Sequence, residues 1–148
     1  MKDTDKGFKN IFKKLQELKN KTLQAGILKD AGTNEKGTYI ADYASYNEFG
    51  TINMPARPFL SSTFDEQSEK WQSTTGKIID NIIDGDPTII DNLIGLLGEQ
   101  VVGDIKEKID SNVPPPLSPA TIKRKKSTRT LIDTGIMRNS IKYEIVDK

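Results

Sequence analysis

The chain has 148 residues and a mass of 16.5 kDa, which fits one domain with a modest core, and its mean hydropathy of −0.56 is polar but compatible with folding. A net charge of +1 gives no overall bias toward nucleic acid or a membrane surface. The absence of Cys and His excludes disulfides, thiol nucleophiles, Cys/His zinc sites and a histidine general base.

The opening residues, MKDTDKGFKNIFKK, lack the apolar run of a signal peptide, so a protein made and kept in the cytosol, or delivered from it without secretion, is expected. Phe8, Ile11, Phe12, Leu15 and Leu18 recur at helical spacing and predict an amphipathic helix over residues 5–20. In TLQAGILK, Leu23, Ala25 and Ile27 alternate and predict a strand. The polar run DAGTNEKGT then predicts a protruding hairpin loop at 30–38 that brings Tyr39 and Ile40 back beside that strand. Over residues 41–49, the pattern Ile40, Tyr43, Ala44, Asn47 fits a short helix or a strand equally well.

Leu60, Phe64, Gln67, Trp71, Thr75, Ile78 and Ile82 follow a near-heptad spacing, which predicts a long helix from Pro58 to about Asp84 with a stripe thinned at Gln67 and Thr75. Gly85-Asp86-Pro87 reads as a helix stop, an N-cap and a first-turn proline. A second helix is expected to run to about Ser111 with Ile90, Leu93, Ile94, Leu97, Val101, Ile105 and Ile109 inward, and with Gly95 and Gly98 admitting a neighbouring backbone. The prolines of NVPPPLS make residues 112–118 a stiff extended connector. Ser118-Pro119 starts a short helix, Thr134-Gly135 caps one further turn, and Ile141, Tyr143 and Ile145 alternate in a closing strand able to join the one near Leu23. The expected fold class is α+β: two long helices and an N-terminal amphipathic helix packed on a small mixed or antiparallel sheet, as a single domain over 1–148.

Sequence signals for catalysis are sparse. TTGK at 74–77 resembles the tail of a phosphate-binding loop, but Trp71 stands where glycine is needed and Ile78 where Ser or Thr is needed. Asp80, Asp84 and Asp86 lie together at a helix end, where capping by Asp86 outweighs a carboxylate–magnesium site. No catalytic residue, cofactor or metal is therefore expected.

Charge is unevenly placed. Residues 1–30 hold eight basic and four acidic groups, residues 78–112 hold two and eight, and residues 113–148 hold eight and three. Basic ends around an acidic middle suit head-to-tail contact between copies, or else are solvated helix faces. Lys123, Arg124, Lys125, Lys126 and Arg129 form the one local basic patch, suited to phosphate or an acidic partner; no aromatic residue is interleaved to stack bases.

Two segments, EFGT (48–51) with MPARPFL (54–60), and PLSPATIKRK (116–125) with LIDTGIMRNSI (131–141), resemble the tail-component and virion-morphogenesis proteins of tailed bacteriophages. The resemblance rests in the first segment on Glu48, Phe49, Gly50, Pro55, Arg57, Pro58, Phe59 and Leu60. In the second it rests on Leu131, Asp133, Thr134, Gly135, Arg138 and Ser140. It departs at Ser61, where a basic residue usually follows the leucine. The resemblance implies a structural protein of the neck or the head-proximal tail, present in the virion and, before assembly, in the host cytoplasm. It further implies a ring of identical subunits, hexameric or else dodecameric, between the connector or head-completion protein and the tail tube or terminator protein. Non-specific contact with passing genomic DNA and no contact with membrane would accompany that role. A small nucleic-acid-associated protein acting through residues 121–129 is the alternative.

Physically, Gly50 permits a positive φ, and the prolines stiffen the path into the long helix. Arg57 is placed where its guanidinium could clamp a carboxylate. Phe59 is expected to anchor either its own core or a neighbouring subunit. Asp133 or Thr134 is expected to cap its turn, with Arg138 pairing to it.

Overall fold

A computed structural model describes residues 5–84 and 89–148, so the Gly85-Asp86-Pro87 break lies outside the described residues. The elements in order are α1 (Asp5–Lys19), β1 (Lys21–Ile27), α2 (Ile40–Phe49), α3 (Phe59–Asp84), α4 (Ile90–Asp110), α5 (Pro119–Lys125), α6 (Ile136–Asn139) and β2 (Ile141–Asp147). This is the α+β architecture expected from the sequence.

β1 and β2 pair antiparallel from Lys21 opposite Asp147 to Ile27 opposite Ile141. Leu23 with Ile145, Ala25 with Tyr143, and Ile27 with Ile141 therefore share one face. A two-stranded sheet is marginal by itself, and this one is backed by α4. Tyr143 lies directly over α4: a Cβ on Gly98 would fall 2.4 Å from its ring, and one on Gly95 would fall 3.3 Å from its hydroxyl. The small residues on α4 thus admit an aromatic side chain, where the sequence suggests a backbone.

The loop after β1 does not return to the sheet. A single 3-10 turn at Lys29–Ala31 is followed by one bridge between Thr33 and Tyr39. Asn34 Oδ1 accepts from the backbone N–H groups of Lys36 and Thr38, both at 3.0 Å, which closes the turn locally. Ile40 N–H donates to the Gly32 carbonyl at 3.0 Å, and Ile40 becomes the buried first residue of α2. The partner of β1 is instead the closing strand, and residues 40–49 resolve as helix.

The buried apolar side chains form two clusters along the α3–α4 pair. One gathers Ile40, Ala44, Phe59, Val102, Ile105, Ile109, Leu131 and Met137 with their neighbours. The other holds Ile78, Ile82, Ile90 and Ile94, with Leu18 of α1 and Leu23 of β1 against it. The expected stripe of α3 holds at Ile78 and Ile82, but in the first turns the inward face is Phe59 and Thr63, while Phe64 is exposed. Thr63 is tolerated there because its hydroxyl donates to the Phe59 carbonyl at 2.6 Å.

Candidate functional site

The segment 47–60 is a closed structural device. Gly50 sits at φ 77°, and a Cβ there would fall 2.7 Å from the Ala56 nitrogen and 2.9 Å from the Met54 oxygen, so glycine is required on both counts. Thr51 N–H donates to the Met54 carbonyl at 2.8 Å, and Met54 N–H returns to the Thr51 carbonyl at 3.2 Å, leaving Ile52 and Asn53 at the tip. Arg57 N–H donates to the Asn47 carbonyl at 2.6 Å and closes the loop at its base.

Glu48 is buried, and its task is to cap α3 from twelve residues upstream. Oε2 accepts from Leu60 N–H at 2.9 Å, and Oε1 accepts from Ser61 N–H at 2.9 Å and from the Ser61 hydroxyl at 2.6 Å. Two of the orphan donors of the first turn are satisfied by a carboxylate on the favourable side of the helix dipole. Ser61, the departure from the resembled pattern, is thereby part of the cap. Phe59 lies wholly inside its own core with no exposed surface, so it anchors this chain and not a neighbouring subunit.

Arg57 is buried and grips no carboxylate, contrary to expectation. Its Nε donates to the Pro115 carbonyl at 2.8 Å and its Nη2 to the Pro116 carbonyl at 3.3 Å. A proline run offers carbonyls without competing N–H groups, so the connector presents acceptors in sequence to one guanidinium fork. Burial pushes the Arg57 guanidinium down from its ordinary value, though an arginine stays charged under these conditions. Pro55 is exposed and Pro58 half-buried at the entry to α3.

In the second segment, Arg138 reaches a carboxylate other than the expected one. It forks onto Asp110 at the end of α4, with Nε to Oδ1 at 2.8 Å and Nη2 to Oδ2 at 2.6 Å. Asp133 is exposed and does not cap α6; Gly135, at φ 80°, precedes that helix without a side-chain cap. Thr134 Oγ1 stands 3.5 Å from Ile136 N–H, the outer limit of a hydrogen bond. Hydrogen bonding to Arg138 holds the Asp110 carboxyl below its ordinary value, with Arg129 nearby adding to the effect. A carboxyl depressed in the folded state contributes stability above its unfolded pKa of about 3.9, and that contribution is lost as pH falls through the folded value. Denaturant midpoints of wild type and Asp110→Asn should therefore differ at neutral pH and converge below about pH 4. A constant difference across that range would contradict the assignment.

The basic patch divides. Lys123, Arg124 and Lys126 are exposed, and Lys126 ends α5 in the left-handed conformation at φ 53°. Lys125 is half-buried, and its ammonium donates to the Arg129 carbonyl at 2.9 Å. Burial pushes Lys125 down most, Asp133 raises it, and Arg57 and Arg124 lower it further, which places both segments within electrostatic reach of one another. Arg129 is exposed, 3.8 Å from Asp110. The expected cap at Ser118 is present: its hydroxyl oxygen accepts from Thr121 N–H at 3.3 Å.

The first segment and the helix before it also expose large apolar side chains. Phe49 is 80% and Ile52 100% exposed, beside exposed Tyr46 and Tyr39 on the outer side of α2. A cleft of about 230 Å³ opens between the 34–38 turn, Tyr43 and residues 131–137. Among the described residues, no group of three or more His, Cys, Asp or Glu side chains could hold a metal ion, and no helix is long and apolar enough to cross a membrane. Three groups that the sequence does not single out matter most: the Pro115 and Pro116 carbonyls, Asp110, and Asp104, which accepts from Trp71 Nε1 and Lys70 Nζ, both at 2.8 Å. Only Asp104 leaves a trace in the sequence, as a polar interruption on the inward helix. Comparison with protein-family models, curated proteins and solved structures gave no match to this chain.

Proposed function

We propose that this chain is a structural subunit of a tailed bacteriophage, forming a ring at the neck or the head-proximal end of the tail and joining connector to tail tube. The observation that carries the reading is the grip of Arg57 on the Pro115 and Pro116 carbonyls. It makes the two resembling segments, nearly sixty residues apart, one physical unit. Two further polar members are spent on the fold: Glu48 caps α3, and Arg138 ties α6 to Asp110 of α4. Around its first segment the unit shows large apolar side chains to solvent: Tyr46, Phe49 and Ile52. Exposed apolar groups gathered on a rigid support suit contact between proteins. Purified phage particles from cells expressing this gene should contain the chain in a small fixed copy number by quantitative mass spectrometry. Its absence from mature particles would defeat the reading.

The second reading, contact with nucleic acid, draws on Lys123, Arg124 and Lys126, which are exposed and form no ion pair among the described residues. Changing these three to Ala should flatten the dependence of log binding constant on log salt by roughly 0.9 for each phosphate that the protein ceases to neutralise. An unchanged slope would remove this reading and leave the first.

A further inference from the structure

α1 leaves two of its apolar side chains exposed. Phe8, Ile11, Phe12 and Leu15 recur at i, i+3, i+4 and i+7, the anchor spacing of a helix that lies in a groove. The C-terminal half is held, with Leu18 on the Ile78–Ile94 cluster and the Lys14 ammonium donating to the Ile82 carbonyl at 3.2 Å. In the N-terminal half Phe8 is 70% and Phe12 55% exposed. Covering such rings would take apolar surface out of water.

Along the N-terminal half of α3 lies an apolar groove of about 490 Å³, walled by Leu23, Leu60, Phe64, Trp71, Leu97 and Val101. Phe64 and Trp71 stack edge to face with centroids 6.0 Å apart, giving one wall the geometry that receives a further ring. Phe64 is itself exposed, and none of the described residues fills the groove.

We infer that the N-terminal half of α1 from one copy seats Phe8 and Phe12 in this groove of the next copy, making one repeated head-to-tail interface. Charge favours a second copy as the occupant. α1 carries five lysines against two acids, whereas α3 and α4 each carry five acids against two lysines. Opposite fields steer and orient such an encounter. At 70% and 55% exposure, two phenylalanines of ~150–250 Å² each, with matching groove wall, supply roughly a third to a half of the ~1,200 Å² at the low end of stable interfaces, and the rest falls to the flanks of both helices. Because knob and groove lie on different parts of the surface, the contact is heterologous and repeats until a ring closes. The inference rests on the ring reading above and names its contact.

The chain has no cysteine, so introduced thiols report without background. Lys13→Cys, beside Phe12, and Ser68→Cys, between Phe64 and Trp71 on the same helix face, keep every ring in place. Full-length single variants, mixed and treated with a short bismaleimide, are expected to give a crosslinked dimer far in excess of either variant alone. In parallel, the double variant Phe8→Asp/Phe12→Asp should keep wild-type circular dichroism, since both sites are exposed. Its self-association in sedimentation should weaken roughly tenfold or more per ring removed. Wild-type assembly that persists in the double variant, or that yields no mixed crosslink, overturns this interface and leaves the ring reading standing. A wild type that stays monomeric at every concentration overturns both. Binding of monomer to phosphatidylglycerol vesicles, abolished in the double variant, would assign α1 to a lipid surface and overturn the inference.

Discussion

Phe59→Ala is expected to cost about 3–5 kcal/mol. Phe59 has no exposed surface and joins α2, α4 and the 131–137 segment in one cluster, so its removal leaves a cavity shared by several elements. A cavity bounded by different elements collapses poorly, because closing it requires them to move together. Against a total stability of about 5–15 kcal/mol, this single change consumes a large part of the margin. Equilibrium urea denaturation should show a lower midpoint with an unchanged slope, and Phe59→Leu should lose less. A midpoint within error of wild type would contradict the placement of Phe59 inside its own chain.

Glu48→Ala should cost about 3 kcal/mol, the second largest expected loss. The carboxylate is buried and accepts from Leu60 N–H, Ser61 N–H and the Ser61 hydroxyl, so its loss removes three hydrogen bonds at a helix start. Glu48→Gln retains one acceptor oxygen and should lose less. Amide exchange separates capping from a general loss of stability: Leu60 and Ser61 should lose protection out of proportion to the helix interior. Equal loss throughout α3 would contradict the cap.

The resembling segments therefore act first as fasteners. Glu48 starts α3, Gly50 lets the chain pass close to Ala56, Arg57 ties the proline connector, and Arg138 ties α6 to the end of α4. Fixing these elements holds Phe49 at the end of α2 and Ile52 at the tip of the tight, hydrogen-bonded turn that follows. Ordering a loop before binding reduces the entropy charged to the encounter. A rigid apolar projection and an apolar groove on one small chain suit a subunit whose partners include its own copies.

Features governed by local chemistry are legible in the sequence. Ser118-Pro119 announces a helix start because cap and first-turn residue are adjacent, and Ile141, Tyr143 and Ile145 announce a strand by simple alternation. The inward face of α3 is misjudged near its start because a heptad count sees Leu60 and Phe64 as apolar, whereas the Glu48 cap fixes the entry of the helix and turns Phe59 and Thr63 inward. The partner of Arg57 carries no sequence signal, since a backbone carbonyl looks the same under every side chain. Arg138 has carboxylates near it in sequence, but α4 delivers Asp110 from 28 residues away. Residues 40–49 are ambiguous because their buried positions, Ile40, Ala44, Asn47 and Glu48, include two polar groups: Asn47 donates to the Tyr43 carbonyl one turn back, and Glu48 is satisfied only by the start of α3.

The central claim is that this chain builds a rigid body in order to associate with copies of itself. Native mass spectrometry of the purified full-length protein over a concentration series tests it most directly. The account predicts one closed multimer of identical subunits, six or twelve, in equilibrium with monomer and with few intermediates. Monomer alone at every concentration would contradict it.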